Sequence, residues 1–362
     1  MTERKRLRDW GLKVGAYPTG PLNAITDVSG VKVGHFSMIK EESSFSGTPK
    51  CIRTGITAIV PYSLPLERRL LVGSFVMRPG GDVTGYEVID DFSYLKSPIV
   101  LTNTFSAGRI YNGILSIGFR LKRDLWPPIV ISLDDSYLND MDARTLQEEH
   151  LIEVVETASS GRVAEGAVGA GVGLVSYGWK GGIGTSSRQV PLLAEVCHLG
   201  VLVATCNLHS PSTVLEEGEK GEDDGELSPS LEVDKAGTLA IVLATDAPLL
   251  PYQLKGLARE SALGQAGFVS PHDGIISLAF SATNVIDNAE EGPLTYRFQW
   301  IEEKNLSPLL SAGKEVVKEA VANSLLMATP VEGRMDREGV PIPPELLKQR
   351  FFEQGLWKKP PF

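Results

Sequence analysis

The run Leu239-Ala240-Ile241-Val242-Leu243-Ala244 carries no polar residue at either parity. Side chains alternate between the two faces of a strand, so a strand that is apolar on both must be covered on both. The pattern predicts a buried strand, entered through Lys235-Ala236-Gly237-Thr238. A small hydroxyl residue therefore stands directly after a glycine at the strand mouth. Two readings of this pair stand side by side. Glycine ends turns and threonine is a good strand former, so the pair is ordinary turn-to-strand chemistry. Alternatively, a break in the Gly237–Thr238 bond would give Thr238 a free α-amine beside its own hydroxyl. One residue would then hold a nucleophile and its base. An α-amine titrates at roughly 7.7–8.0 in model peptides, close to the pH at which a general base works best.

Other segments point the same way. Ile25–Gly34 reads as a turn and then a strand, and further strands are predicted at Gly55–Val60, Gly73–Met77, Ser97–Thr104, Pro128–Ile131, Val201–Thr205 and Gly274–Ser281. Helical spacing appears in four places. Phe105–Leu121 places Ile110, Ile114, Leu115 and Phe119 three or four apart. Asp142–Ser159 offers Leu146, Leu151, Val154 and Val155 as core positions. Pro251–Gly267 offers Leu254, Leu257, Ala258 and Leu263. Ser311–Met327 offers Val316, Val317, Ala320 and Leu325. Gly161–Arg188 is the block richest in glycine and reads as hairpins with tight turns; it holds no GxGxxG fingerprint for a dinucleotide. The last 25 or so residues are rich in proline and read as a surface wrap. Many short buried strands with a few long helices imply helices covering packed sheets.

The composition narrows the function. The formal charge is −10 with no long basic run, which argues against nucleic acid as a partner. The longest apolar stretches are too short to cross a membrane. The charged start, Met1-Thr2-Glu3-Arg4-Lys5-Arg6, is followed by no apolar segment of the secretory kind. Cys51, Cys197 and Cys206 are odd in number and lack metal spacing, and the five histidines form no metal pattern. A reducing, cytoplasmic setting without a metal or other cofactor is the expectation. Glu216–Glu226 carries seven acids and one lysine among three glycines and reads as a solvated connection.

Several blocks, in order, resemble the DmpA-like family of self-processing N-terminal-nucleophile hydrolases, which holds the L-aminopeptidase/D-esterases and β-peptidyl aminopeptidases. They are Gly20–Val28, Gly30–His35, Arg53–Ala58, Leu101–Thr104, Asp135–Asp140, Glu165–Gly171, Lys180–Arg188 and Ala244–Leu249. The resemblance spans roughly residues 9–330. It implies an α+β fold, a four-layer α/β/β/α sandwich, as one domain over 1–362. It implies self-cleavage between Gly237 and Thr238 into fragments 1–237 and 238–362. The fragments stay together, usually in a homotetramer. The substrates it implies are small peptides, amides or esters that lose an N-terminal residue, with Thr238 as the nucleophile.

The same resemblance assigns the remaining site positions and shows where this chain departs. The family nucleophile is usually serine; threonine keeps the β-hydroxyl. Asp273 stands where the family has a serine that partners the nucleophile. The acid expected two residues later is Ile275; residues two apart in a strand share a face, so both would turn toward Thr238. The oxyanion asparagine falls on Cys206 in a gapless alignment, with Asn207 one place later as the candidate. A glutamate expected before the Asp-Ser-Tyr-Leu-Asn-Asp block is Ser132, and a nearby tyrosine is Asp134. Ser132, Asp134, Asp135 and Asn103 are thus the candidate substrate-binding residues. Arg78-Pro79-Gly80-Gly81-Asp82 replaces another family turn. These changes leave two outcomes: a hydrolase of altered specificity, or an impaired relative that keeps the fold to bind a small ligand or partner.

Overall fold

The structure is a computed structural model of the 362-residue chain. It describes residues 4–43, 49–61, 68–77, 81–192, 195–209, 236–265, 269–270, 273–287 and 295–353. In chain order the strands and helices are β1 (Lys32–Ser43), β2 (Pro49–Val60), β3 (Arg68–Met77), α1 (Tyr86–Phe92), β4 (Tyr94–Leu95), β5 (Ile99–Asn103), α2 (Ala107–Leu121), β6 (Ile129–Leu133) and α3 (Glu148–Thr157). Then follow β7 (Val175–Ser176), β8 (Trp179–Lys180), β9 (Ile183–Leu192), β10 (Glu195–Cys206), β11 (Thr238–Thr245), α4 (Pro251–Leu263), β12 (Gly274–Asp287), α5 (Ser307–Leu326), β13 (Val331–Glu332), β14 (Glu338–Gly339) and α6 (Pro344–Glu353).

Two main sheets stack. The smaller has the order β1-β2-β5-β6 and the larger β4-β3-β12-β11-β10-β9. Between them lies a common apolar layer, built from Ile59, Leu101 and Ile131 of the first and Val72, Leu202, Val242 and Leu278 of the second. The outer face of the smaller sheet, with Ile56 and Val130, is covered by Ile114 of α2 and Leu151 of α3. The outer face of the larger, with Val203, Ile241 and Ala279, is covered by Leu257 of α4 and Val316 of α5. The layering is α/β/β/α, as the resemblance implies. In β11, Ala240, Val242 and Ala244 face the other sheet, and Leu239, Ile241 and Leu243 face the helices.

The glycine-rich block places two cations in the interior. Lys180 is fully buried, and its Nζ donates to the carbonyls of Gly171, Leu174 and Gly181 at 2.7–2.8 Å. Burial pulls its pKa down to about 7. Arg188 is also fully buried and bonds Glu319 of α5 at 2.7 Å and Glu315 at 3.1 Å. Removing one partner of such a pair leaves a buried charge uncompensated, so these contacts fix how α5 sits on β9.

Several boundaries differ from the periodicity. The helix read over Asp142–Ser159 starts only at Glu148, because Arg144 takes a left-handed conformation (φ 49°) that stops the preceding turn. Leu146 is buried all the same, from the loop. Strand β12 runs past Ser281 to Asp287 across an irregularity between Phe280 and Val285. Helix α1 went unread, being seven residues long with little apolar periodicity. Gly161–Arg188 holds the short β7–β8 pair and then the start of β9. Near the C-terminus, Ile342 and Leu347 pack on Leu7, Trp179 and Leu325. The acidic stretch Glu216–Glu226 lies outside the described residues.

Gly184 of β9 shows how closely α5 approaches the sheet. A Cβ there would stand 1.9 Å from the Ala320 carbonyl oxygen. Gly184→Ala is therefore expected to destabilise the chain by about 1–3 kcal/mol, the usual cost of overpacking a core. Chemical denaturation followed by circular dichroism measures this; an unchanged midpoint would contradict the packing described.

Candidate active site

The two halves of the sandwich meet at one end, where β5 and β6 finish and β11 begins. Thr238 is the first residue of β11. It pairs with Cys206 at the end of β10 and with Gly274 at the start of β12. By alternation its side chain shares the face of Ala240 and Val242, toward the layer between the sheets. Gly81 lies across from it: a Cβ on Gly81 would be 3.4 Å from Thr238 Oγ1 and 2.4 Å from the Ser132 carbonyl oxygen. Thr238 is 2% exposed.

The Gly237–Thr238 junction is gripped on both sides. The Gly237 N–H donates to Asp273 Oδ1 at 2.9 Å. The Gly237 carbonyl oxygen accepts the Gly274 N–H at 2.8 Å. Asp273 is fully buried and is itself held by three further donors. Its Oδ2 accepts the backbone N–H groups of His209 at 3.0 Å and Ser270 at 3.1 Å. Its Oδ1 lies 2.6 Å from His209 Nδ1. The His209 side chain is about one-third exposed, so the pair reaches solvent from a buried carboxylate.

Asn207 closes the junction from β10. It adopts a left-handed conformation (φ 49°), which asparagine tolerates better than most residues. Its Nδ2 donates to the Asp134 carbonyl at 3.3 Å, and its buried Oδ1 has no hydrogen-bond partner among the described residues. Cys206 Sγ approaches the same Asp134 carbonyl at 3.3 Å, and burial raises its thiol pKa well above the ordinary value. These contacts tie the end of β6 to the end of β10, next to Thr238.

The other sequence-predicted residues divide into those at the junction and those in a supporting network. The Asp134 carboxylate accepts the Ser136 N–H in a local turn, while its carbonyl faces Asn207. Ser132 Oγ accepts the Asp82 N–H at 3.0 Å, and the Ser132 N–H donates to the Asp82 carbonyl at 2.8 Å. Ser132 thus holds the Gly81–Asp82 stretch over Thr238. Asp135 Oδ2 accepts from Thr54 Oγ1 at 2.6 Å and Oδ1 from Asn139 Nδ2 at 2.9 Å. Asn103 Nδ2 donates to the same Thr54 hydroxyl, and its Oδ1 accepts the Ser106 N–H that opens α2. Asp135 and Asn103 therefore meet through Thr54, with both carboxylate oxygens of Asp135 engaged. Arg78, Pro79 and Gly80 lie outside the described residues.

One expectation needs correction. Ile275 does not share the face of Thr238: it packs with Leu239 and Ala279 against the helices, while Ile276 faces the other sheet. The parallel register pairs Thr238 with Gly274, so residues of odd number in β12 turn away from the hydroxyl. Asp273 reaches the junction because it precedes the strand. Sequence reading also missed His209 and the Gly274 N–H. His209 carries no motif and stands 64 residues from Asp273 in the chain. A backbone donor leaves no trace in residue identity. Among the described residues, no group of three or more His, Cys, Asp or Glu side chains is placed to hold a metal ion. None of their helices is long and apolar enough to cross a membrane.

Comparison with known proteins gives a consistent picture. The sequence matches Peptidase family S58 over residues 23–339. The β-peptidyl aminopeptidase BapA of Sphingosinicella microcystinivorans is 32% identical over 355 residues, 91% of this chain and 88% of that protein. The fold superposes on the β-aminopeptidase of a Burkholderia species with a TM-score of 0.83 and 30% identity, covering 98% of this chain and all of the other. It superposes equally well (TM-score 0.83, 28% identity, 98% and 99% coverage) on the L-aminopeptidase D-Ala-esterase/amidase of Ochrobactrum anthropi, described as a variant of the Ntn-hydrolase fold.

Asp135 offers a test of the supporting network. Burial raises its pKa from 3.8 to about 7. A raised folded-state pKa means that stability is greatest with the proton on, and is lost as pH rises through the folded value. Asp135→Asn cannot ionise. Its melting temperature relative to the unaltered chain is therefore expected to climb from about pH 4 to about pH 7 and to level off above that. A difference independent of pH would contradict the buried acid.

Proposed function

The chain belongs to Peptidase family S58 and is an aminopeptidase-type hydrolase with the Ntn-hydrolase fold, and on that premise we propose that it cuts itself between Gly237 and Thr238 and then uses Thr238 as an N-terminal nucleophile. The observation that carries this reading is the grip on residue Gly237: its N–H donates to Asp273, and its carbonyl, the one joined to Thr238, accepts the Gly274 N–H. A carbonyl already held by an N–H donor is polarised toward attack, and the donor stabilises the negative charge that develops on oxygen.

In the processing step, Thr238 Oγ1 adds to the Gly237 carbonyl carbon and the Gly237–Thr238 C–N bond breaks. The hydroxyl proton passes to the departing nitrogen, and Gly237 becomes an ester on Oγ1. Water then hydrolyses the ester, leaving a Gly237 carboxylate and a free Thr238 amine. In turnover the freed amine serves as the general base for its own hydroxyl, which attacks the acyl carbon of a small peptide, amide or ester. Asn207 Nδ2, beside the junction, and the Gly274 N–H are the candidate oxyanion donors. Asp134 lies beside the same strand ends as a candidate contact to substrate. Ser132, Asp135 and Asn103 act by holding the Gly81–Asp82 stretch and the Thr54 network in place. The resemblance further supports a homotetramer of cleaved protomers, and the exposed Phe92, Phe119 and Trp126 offer apolar area for such contacts. Three free cysteines support a reducing, cytoplasmic setting.

Processing is read on a denaturing gel. The 39.1 kDa chain is expected to give fragments of about 26 and about 13.5 kDa, corresponding to residues 1–237 and 238–362. Thr238→Ala is expected to stay whole and folded, since truncating one small buried side chain costs about 0.5–3 kcal/mol, less than the total stability of a typical domain. Thr238→Ser is expected to cut. A single stable band from the unaltered chain after long incubation would overturn the proposal.

A further inference from the structure

Resting on that reading, we infer that Asp273, held by His209, is the subsite for the substrate's α-ammonium, and that the acyl pocket beside it is shaped for an N-terminal glycyl residue. The processing ester and the acyl-enzyme of turnover are the same chemical species: an acyl group on Thr238 Oγ1. In processing that acyl group ends in Gly237. Gly237 therefore stands in for the substrate's first residue, and its nitrogen marks where the substrate's amine belongs. That nitrogen donates to Asp273 Oδ1 at 2.9 Å. A free substrate carries an ammonium there, with more protons to donate and a charge opposite to the carboxylate.

The surroundings of Asp273 suit this use. Backbone N–H groups of His209 and Ser270 fix Oδ2, and His209 Nδ1 fixes Oδ1 at 2.6 Å. The carboxylate is fully buried, so its orientation is set before any ligand arrives. The substitutions around the site agree with a shifted amine contact. Ser132 is spent on Asp82, Ile275 faces the helices, and both oxygens of Asp135 are engaged. Asp273 is the carboxylate that touches the residue in the acyl position.

The same geometry limits the acyl residue. A Cβ of L configuration on Gly237 would stand 2.4 Å from the Asn207 carbonyl oxygen, 2.7 Å from its carbon and 2.7 Å from Asp273 Oδ1. Two of these atoms are backbone and cannot swing aside. His209 is a positioning residue, acting through its two contacts to Asp273, and its loss should raise KM more than it lowers kcat.

The experiment compares p-nitroanilides of glycine, N-acetylglycine and L-leucine on the purified, self-cleaved protein. Losing a charge-assisted hydrogen bond or forcing a clash should cost about 10- to 100-fold in kcat/KM, so the glycyl compound should lead both others by that margin. Asp273→Asn, assayed on whatever fraction is cleaved, should raise KM for the glycyl compound about tenfold and for the N-acetyl compound by less, because an amide N–H makes only the weaker neutral bond that Gly237 makes in the intact chain. His209→Gln should raise the same KM by less. Because Asp273→Asn also touches the processing junction, glycinamide provides a test that needs no variant: it should inhibit the unaltered enzyme competitively, and N-acetylglycinamide, which brings a neutral amide in place of the ammonium, about tenfold more weakly. A protein that cuts itself yet hydrolyses the L-leucyl or N-acetyl compound as fast as the glycyl one would overturn the subsite and leave the nucleophile standing. Equal inhibition by the two amides would do the same. A chain that never cuts itself would overturn both.

Discussion

Every side chain of β11 is buried, and its two faces are closed by different layers. One face needs a second sheet and the other needs helices, so the strand cannot exist outside a layered sandwich. Its first residue must then sit where the layers open. That opening is where β5, β6 and β10 also end, so the chain brings Asn103, Ser132, Asp134, Asn207 and Thr238 to one side of the molecule with no long loop to place them. The buried cations serve the same arrangement. Lys180 ties together the glycine-rich turns, and Arg188 locks α5 to β9, behind the sheet that carries Thr238.

At the junction itself the important groups are mostly backbone. Residue Gly237 is held by one carboxylate and one N–H, and Asp273 in turn by two backbone N–H groups and an imidazole. Glycine at 237 lets the Asn207 carbonyl and Asp273 close to a distance that no side chain would permit. On the proposed reading, the features that dispose this bond to cleavage would also define a small, amine-seeking pocket, because substrate and precursor would pass through the same ester on Thr238.

Much of this was legible in the sequence, and for identifiable reasons. The unbroken apolar run of β11 announced a doubly covered strand, and the helical spacing of Ile110, Ile114, Val316 and Val317 announced the covers. Gly237-Thr238 stood out through residue chemistry, and Asp273 through the family resemblance, at the position of the serine that partners the nucleophile. What could not be read depended on register or on distant contact. The face of Ile275 follows from a parallel pairing of Thr238 with Gly274, which one strand's pattern does not contain. His209 meets Asp273 only because two strand ends fold together. The engagement of Asp135 by Thr54 and Asn139, which gives both carboxylate oxygens a partner, is likewise long-range for one of the two.

The central claim is that Thr238 becomes the N-terminal nucleophile, and one measurement bears on it directly. The protein is incubated with a slowly hydrolysed glycyl ester, quenched in acid, and mapped by peptide mass spectrometry. An acyl group is expected on the fragment that begins Thr238-Leu239-Ala240-Ile241, carried by the residue at its N-terminus. Acylation of Cys206 or His209 instead, or a tryptic peptide that still runs through an intact Gly237–Thr238 bond in the acylated protein, would contradict it.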